Sequence, residues 1–134
     1  MVVWKPPSVP WVKVNTDGSM MGQLATCGGI LRDNKGSLMG CFVGNLGPFY
    51  VFEAEIFGFI MSMEHALQLG WGNIWLESDS ISALLAFKNS SLVPIRLRNK
   101  WHNYFPIGFQ VIYSHIFREG NSYADGLANH GHNI

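Results

Sequence analysis

The sequence predicts a mixed-sheet α/β domain, and three observations carry that expectation. Three short apolar runs separated by turn residues occupy the first third of the chain. One long amphipathic segment follows and stops at a glycine. Beyond it come two further apolar runs linked through helical patterns, the arrangement of parallel strands added by crossover connections to one side of a meander.

The first strand begins at Trp11 and continues through Val12-Lys13-Val14-Asn15-Thr16, apolar and polar side chains alternating as in a half-buried strand. It ends by delivering Asp17 just before Gly18-Ser19. Residues 25–32 form an apolar run containing Gly28-Gly29, residues 33–36 are a turn, and residues 37–43 are apolar again. That is a hairpin, and with the first strand it makes an antiparallel three-stranded meander. Residues 44–51, with Gly47-Pro48, read as a loop.

Residues 52–69 are the best helix, with Phe52, Ile56, Phe59, Ile60, Met63 and Leu67 forming one stripe. Gly70 is placed to cap its C-terminus. Residues 73–77 read as a short strand, and residues 80–88 as a short helix with Ile81, Leu84 and Leu85 facing inward. Residues 89–91 are a loop. Pro94 opens another helix, with Leu97, Trp101, Tyr104 and Phe105 on its buried side and Pro106 at its end. Residues 109–117 are a strand and residues 121–130 a final helix.

A chain of 134 residues fits one domain; residues 1–10 read as an extended lead-in and residues 11–134 as the domain itself. With 48% hydrophobic and 13% charged residues the chain is a compact globular class, not a disordered one. Nine basic residues balance nine acidic ones. This lowers the expectation of a non-specific nucleic-acid binder, although acids gathered at a metal site would cancel basic residues placed elsewhere. No apolar run approaches a membrane span, and the first residues lack the layout of a signal peptide. The expectation is an intracellular protein, nuclear or cytoplasmic, that is not secreted and has no membrane partner. Cys27 and Cys41 lie on the two arms of the hairpin with the same strand parity, which makes them candidate neighbours on one face. Without a secretory signal they are expected to be reduced thiols, and no Cys/His spacing of the zinc type is present.

Four carboxylates stand at the ends of predicted elements. Asp17 ends the first strand, where it either starts a turn or belongs to a site. Asp79 follows the fourth strand in Glu77-Ser78-Asp79-Ser80; it could cap the next helix, but Ser80 can take that role and release it. If these strands are adjacent and parallel, both aspartates reach the same edge. Glu53 and Glu55, in Phe52-Glu53-Ala54-Glu55, flank the apolar stripe on opposite sides, and helix geometry leaves open which one faces the site. Asp125 lies in the first turns of the last helix, either solvated near a favourable N-terminus or aimed at the same edge. Together the four suit divalent cations, since Mg²⁺ prefers oxygen ligands from a few carboxylates, water and phosphate.

The ordered set Val14-Asn15-Thr16-Asp17-Gly18-Ser19, Gly28-Gly29-Ile30-Leu31-Arg32-Asp33, Ala54-Glu55, Glu77-Ser78-Asp79-Ser80 and Arg118-Glu119-Gly120-Asn121 through Ala124-Asp125-Gly126-Leu127-Ala128 resembles ribonuclease H. The likeness is greatest to the reverse-transcriptase-like domains of plant retroelements. The resemblance implies a five-stranded mixed sheet flanked by helices, and catalytic, metal-binding acids at Asp17, Glu55, Asp79 and Asp125. It selects Glu55 because the family's acid follows the alanine. It implies two Mg²⁺ ions, with Mn²⁺ able to substitute, and cleavage of the RNA strand of an RNA–DNA hybrid. Asp17 is then expected to bridge both ions, with Glu55 and Asp79 on one and Asp125 on the other.

Gly18 and Ser19 are candidate contacts to the substrate, and Arg96, Arg98 and Lys100 candidate phosphate ligands, with Trp101 or His102 stacking nearby. The other reading of that helix is a solvated face around a buried Trp101. His115, within the last strand, reads as a core histidine. The expected partners are the hybrid and a fused or associated reverse transcriptase, the domain itself being a monomer. The competing expectation is a catalytically silent module that keeps the fold and binds nucleic acid or protein.

Overall fold

The computed structural model describes residues 4–104 and 110–130. Its strands are β1 (Val12–Met21), β2 (Leu24–Arg32), β3 (Leu38–Gly47), β4 (Asn73–Ser78) and β5 (Gln110–His115). Its helices are α1 (Val51–Leu69), α2 (Ile81–Phe87), α3 (Ile95–Tyr104) and α4 (Ser122–His130), with single 3-10 turns at Ser90–Leu92 and Arg118–Asn121. The strands form one sheet in the order β3-β2-β1-β4-β5. β1, β2 and β3 are the antiparallel meander, while β4 pairs parallel to β1 and β5 parallel to β4. The five-stranded mixed sheet is therefore as expected. Phe105, Pro106 and Phe109 fall outside the described residues.

α1 covers one face of the sheet. Ile56, Phe59, Ile60 and Met63 of its stripe are buried against Val12, Val14, Cys27, Ile74 and Leu76. Gly70 closes it in the left-handed conformation (φ 75°), which an L side chain rarely adopts. The stripe is shorter than the sequence suggested. Leu67 is half exposed, and Ala66 and Trp71 complete the packing there. α4 lies on the other face, and Gly28 makes that approach possible: a Cβ there would meet the backbone nitrogen of Ala128 at 2.5 Å. Among the described residues no helix is long and apolar enough to cross a membrane.

Four further expectations are corrected. β3 runs through Gly44 to Gly47 instead of breaking into a loop, because Gly44 pairs with Cys27 under the Met61 side chain. α2 turns Ile81 and Leu85 outward and buries Ala83, Leu84, Ala86 and Phe87. The rotation places the larger Phe87 ring edge-on to Phe59, Trp101 and Tyr113. Cys27 pairs with Gly44 and Cys41 with Ile30, so the two thiols face opposite sides of the sheet, one buried and one exposed, both free. Finally, the polar side of β1 is not wet: Lys13 and Asn15 are both 1% exposed.

Candidate active site

β1 does not stop at Asp17. Asp17 pairs with Gly28, and Gly18 and Ser19 continue the ladder opposite Cys27 and Thr26, so Asp17-Gly18 is mid-strand and not a turn. β1 and β4 pair from Val12↔Ile74 to Thr16↔Ser78, which puts Asp17 and Asp79 one residue beyond the last pair of adjacent parallel strands. Side chains at such strand ends converge on one edge. Ser80, not Asp79, caps α2 by accepting from the Ala83 N–H at 3.2 Å, which leaves the Asp79 carboxylate unused by the helix.

The two glutamates divide. Glu53 accepts the Tyr50 N–H at 3.0 Å and a two-pronged hydrogen bond from Arg96. Glu55 points the other way, toward Asp17. The first turn of α1 reaches the strand because position 18 is glycine; a Cβ there would sit 3.1 Å from Ala54 Cβ and 3.2 Å from Glu55 Oε1. Ligand oxygens of Asp17, Glu55 and Asp79 all lie within 4.8 Å of one another. With Gly18, Val51, Ser80, His115, Phe117 and Arg118 they line an open pocket of about 460 Å³. Asp125 stands on α4 beside Asp17, near enough to help push the Asp17 carboxyl up. It is half-buried, and Arg118 Nη2 stands 3.8 Å from its Oδ1.

Three acids this close oppose one another's ionisation. Burial, then the Glu55 and Asp79 charges, pushes the Asp17 carboxyl up to about 9. Burial likewise raises Glu55 to about 7, with the Asp79 charge adding to it. Asp79 is raised as well, chiefly by burial, with Arg118 pulling the other way. Glu55 Oε2 is buried without a hydrogen-bond partner among the described residues. An all-oxygen donor set, crowded negative charge and an unsatisfied carboxylate oxygen suit a hard divalent cation.

Two pocket residues escaped sequence reasoning. His115 is exposed on the pocket and is not a core residue. The signal was its register opposite Ser78, one residue before Asp79, which requires knowing that β5 pairs with β4. Arg118 follows it in the turn before α4.

The expected substrate contacts are more dispersed. Gly18 lines the pocket, while the Ser19 hydroxyl donates to Asn129 Oδ1. Arg96 is held by Glu53, stacks over Phe49, and lines a separate recess of about 420 Å³ with Tyr50 and Met20. Arg98 donates to the Val93 carbonyl, and the Lys100 ammonium sits 5.4 Å from the Phe57 ring centre. Trp101 cannot stack on a ligand. It is 7% exposed and donates from Nε1 to the Phe87 carbonyl. His102 is exposed.

A three-strand meander extended by two parallel strands, with an acidic pocket at the strand ends, defines a ribonuclease H-like domain. The structural neighbours agree. The N-terminal RNase H domain of a Mycobacterium tuberculosis protein, solved as a fusion with maltose-binding protein, superposes with TM-score 0.80 at 22% identity, over 92% of this chain and 94% of that one. RNase H1 of the halophilic archaeon Halobacterium salinarum gives 0.76 at 25% identity, over 92% and 98%. LC11-RNase H1, solved in complex with an RNA/DNA hybrid, gives 0.72 at 22% identity, over 89% and 94%. In sequence, an Arabidopsis thaliana protein provisionally named a ribonuclease H is 36% identical over 139 residues, which is 100% of this chain and 22% of that protein. The family model described as reverse transcriptase-like matches residues 15–131. The chain belongs to the reverse transcriptase-like family.

Proposed function

We propose that this domain is a ribonuclease H that hydrolyses the RNA strand of RNA–DNA hybrids with divalent cations, Mg²⁺ in the first place. The observation that carries the reading is the convergence of Asp17, Glu55 and Asp79 from β1, α1 and the end of β4 within 4.8 Å of one another. Family membership and the hybrid bound to LC11-RNase H1 point to the same substrate class. Asp17, Glu55, Asp79 and Asp125 would hold the metal. Bound there, a pair of cations activates water and stabilises the leaving oxygen of a phosphodiester.

The protein's own groups prepare that chemistry. Burial and crowded negative charge favour the protonated carboxyls of Asp17 and Glu55 in the metal-free protein, and a cation held there would offset that repulsion. The half-helix contact at Gly18 fixes Glu55 against the strand. Arg118 and His115 add a guanidinium and an imidazole to a pocket that also holds three carboxylates, where a phosphate strand must approach. Contacts to 2′-hydroxyls would distinguish RNA from DNA.

The test is incubation of purified protein with a hybrid labelled in its RNA strand, with Mg²⁺, beside Asp17→Asn and Asp79→Asn. Cleavage by the unaltered protein, lost in both variants by about 10²-fold or more, is the expected result. Hybrid binding without cleavage and indifferent to metal would contradict the reading in favour of a silent binding module.

A further inference from the structure

The buried polar side of β1 is occupied by one continuous hydrogen-bonded chain that ends at the site. At its inner end Asn121, 1% exposed and last in the turn before α4, donates from Nδ2 to the Thr16 carbonyl at 2.7 Å. That carbonyl belongs to the peptide joining Thr16 to Asp17. Asn121 Oδ1 accepts from Asn15 Nδ2 at 3.2 Å, and the same amide donates to Glu77 Oε1 at 2.9 Å. Glu77 Oε2 lies 3.1 Å from Lys13 Nζ and accepts the Ser114 hydroxyl at 3.1 Å. The outer end is closed by Trp4, whose Nε1 donates to Asn15 Oδ1 at 2.8 Å. Lys13 donates to the Lys5 carbonyl and sits 3.7 Å from the Trp75 ring centre. An indole N–H can only donate, and a carboxylate or carbonyl can only accept. The orientation of both amides is therefore dictated from the two ends.

Burying an ion pair is seldom the most stable way to fill a core; such groups can instead fix one arrangement of the elements they join. Here they join β1, β4, β5, the turn before α4 and residues 4–5. Position matters because α4 is tied to the sheet at its other end by separate contacts: the Thr26 hydroxyl to the Ala128 carbonyl, and Ser19 to Asn129. Asp125 lies between these two anchors.

We propose that Asn121, held through Asn15 by the buried Glu77–Lys13 pair and sealed by Trp4, is a positioning residue that sets Asp125 against Asp17. This rests on the metal-dependent hydrolase reading of the pocket. Asn121 touches no substrate in this role. Its contribution is the distance between two carboxylates carried on different elements, the kind of support whose loss weakens metal affinity or activity about 10–100-fold.

The test combines Asn121→Ala with Trp4→Phe, which keeps a ring over Lys13 and Arg32 but removes the indole donor. Cleavage of the hybrid gives kcat and KM separately, and calorimetric titration with Mn²⁺ gives metal affinity, with near-UV circular dichroism reporting the fold. Asn121→Ala is expected to lower kcat about tenfold or more and to weaken Mn²⁺ binding, with KM for the hybrid nearly constant. Trp4→Phe should do the same to a smaller degree. A folded Asn121→Ala with unchanged kcat and Mn²⁺ affinity overturns the proposal. If Asn121→Ala does not fold, a Trp4→Phe protein with unaltered kcat and Mn²⁺ affinity overturns it instead. Should the unaltered protein fail to cleave the hybrid, the hydrolase reading falls. The Mn²⁺ isotherms then decide the positioning role alone, weaker binding in the variants supporting it and equal binding overturning it.

Discussion

Asp17 gains its importance from where its backbone places it. On the sequence it could start a turn; in the sheet it is a strand residue with two other carboxylates at its side and a fourth on the adjoining helix. Its ordinary value near 3.8 rises to about 9 in the folded chain. The folded protein therefore binds a proton that the unfolded chain has released, everywhere between those two values. Stability of the metal-free protein should fall as pH rises through that window, the direction opposite to a salt-bridged aspartate. Asp17→Asn removes the titration. The variant is expected to melt higher than the unaltered protein at pH 8 without metal, by about 3–5 °C for each kcal/mol relieved in a chain this size. It should also show a flatter dependence of melting temperature on pH, and thermal scans from pH 5 to 9 in chelator check both. The two glutamates show what a single sequence can and cannot tell. Helix periodicity put them on opposite flanks and the family resemblance selected Glu55; Arg96 claiming Glu53 from a distant helix supplies the physical reason.

At the scale of elements, the site depends on two close approaches permitted by glycine. Gly18 admits the first turn of α1, and Gly28 admits α4. Gly28→Ala would drive a methyl into the Ala128 backbone, and overpacking of this kind costs about 1–3 kcal/mol. It should also lower cleavage, because the helix displaced carries Asp125. Gly126, on the same helix, meets nothing within 4 Å of an added Cβ, so Gly126→Ala is expected to stabilise by about 0.5–1 kcal/mol. Urea unfolding of the two variants tests the pair, and a harmless Gly28→Ala would contradict the packing argument. The elements themselves were largely legible, since apolar period and turn residues place all five strands and the helices within a few positions. Register was not. The cysteines share parity yet face opposite sides, because antiparallel partners here sum to an odd number, as in Cys27↔Gly44. His115 looked like core until β5 was set against β4. Lys13 looked solvent-facing because Trp4 and Trp75, which cover it, are not its neighbours in sequence order.

For the whole molecule, zero net charge conceals a division of labour. Acids gather at one sheet edge, while Arg96 and Arg98 hold protein groups and Lys100 lies over an aromatic ring. The candidate acids were readable because the sequence places each near the start or end of an expected element, although β1 in fact continues past Asp17. Their convergence was not, since it depends on β4 inserting beside β1. The central claim is that the converged acids direct a metal-assisted attack of water on the RNA strand of a hybrid. Attack of water with departure of the 3′-oxygen leaves a 5′-phosphate and a 3′-hydroxyl, whereas attack by the RNA's own 2′-hydroxyl expels the 5′-oxygen and leaves a cyclic phosphate. The most direct measurement is end-group analysis of products from a hybrid labelled separately in each strand, with Mg²⁺. RNA fragments bearing 5′-phosphate and 3′-hydroxyl ends, with the DNA strand intact, are the expected result. Cyclic-phosphate ends, a cut DNA strand or an uncut hybrid would contradict it.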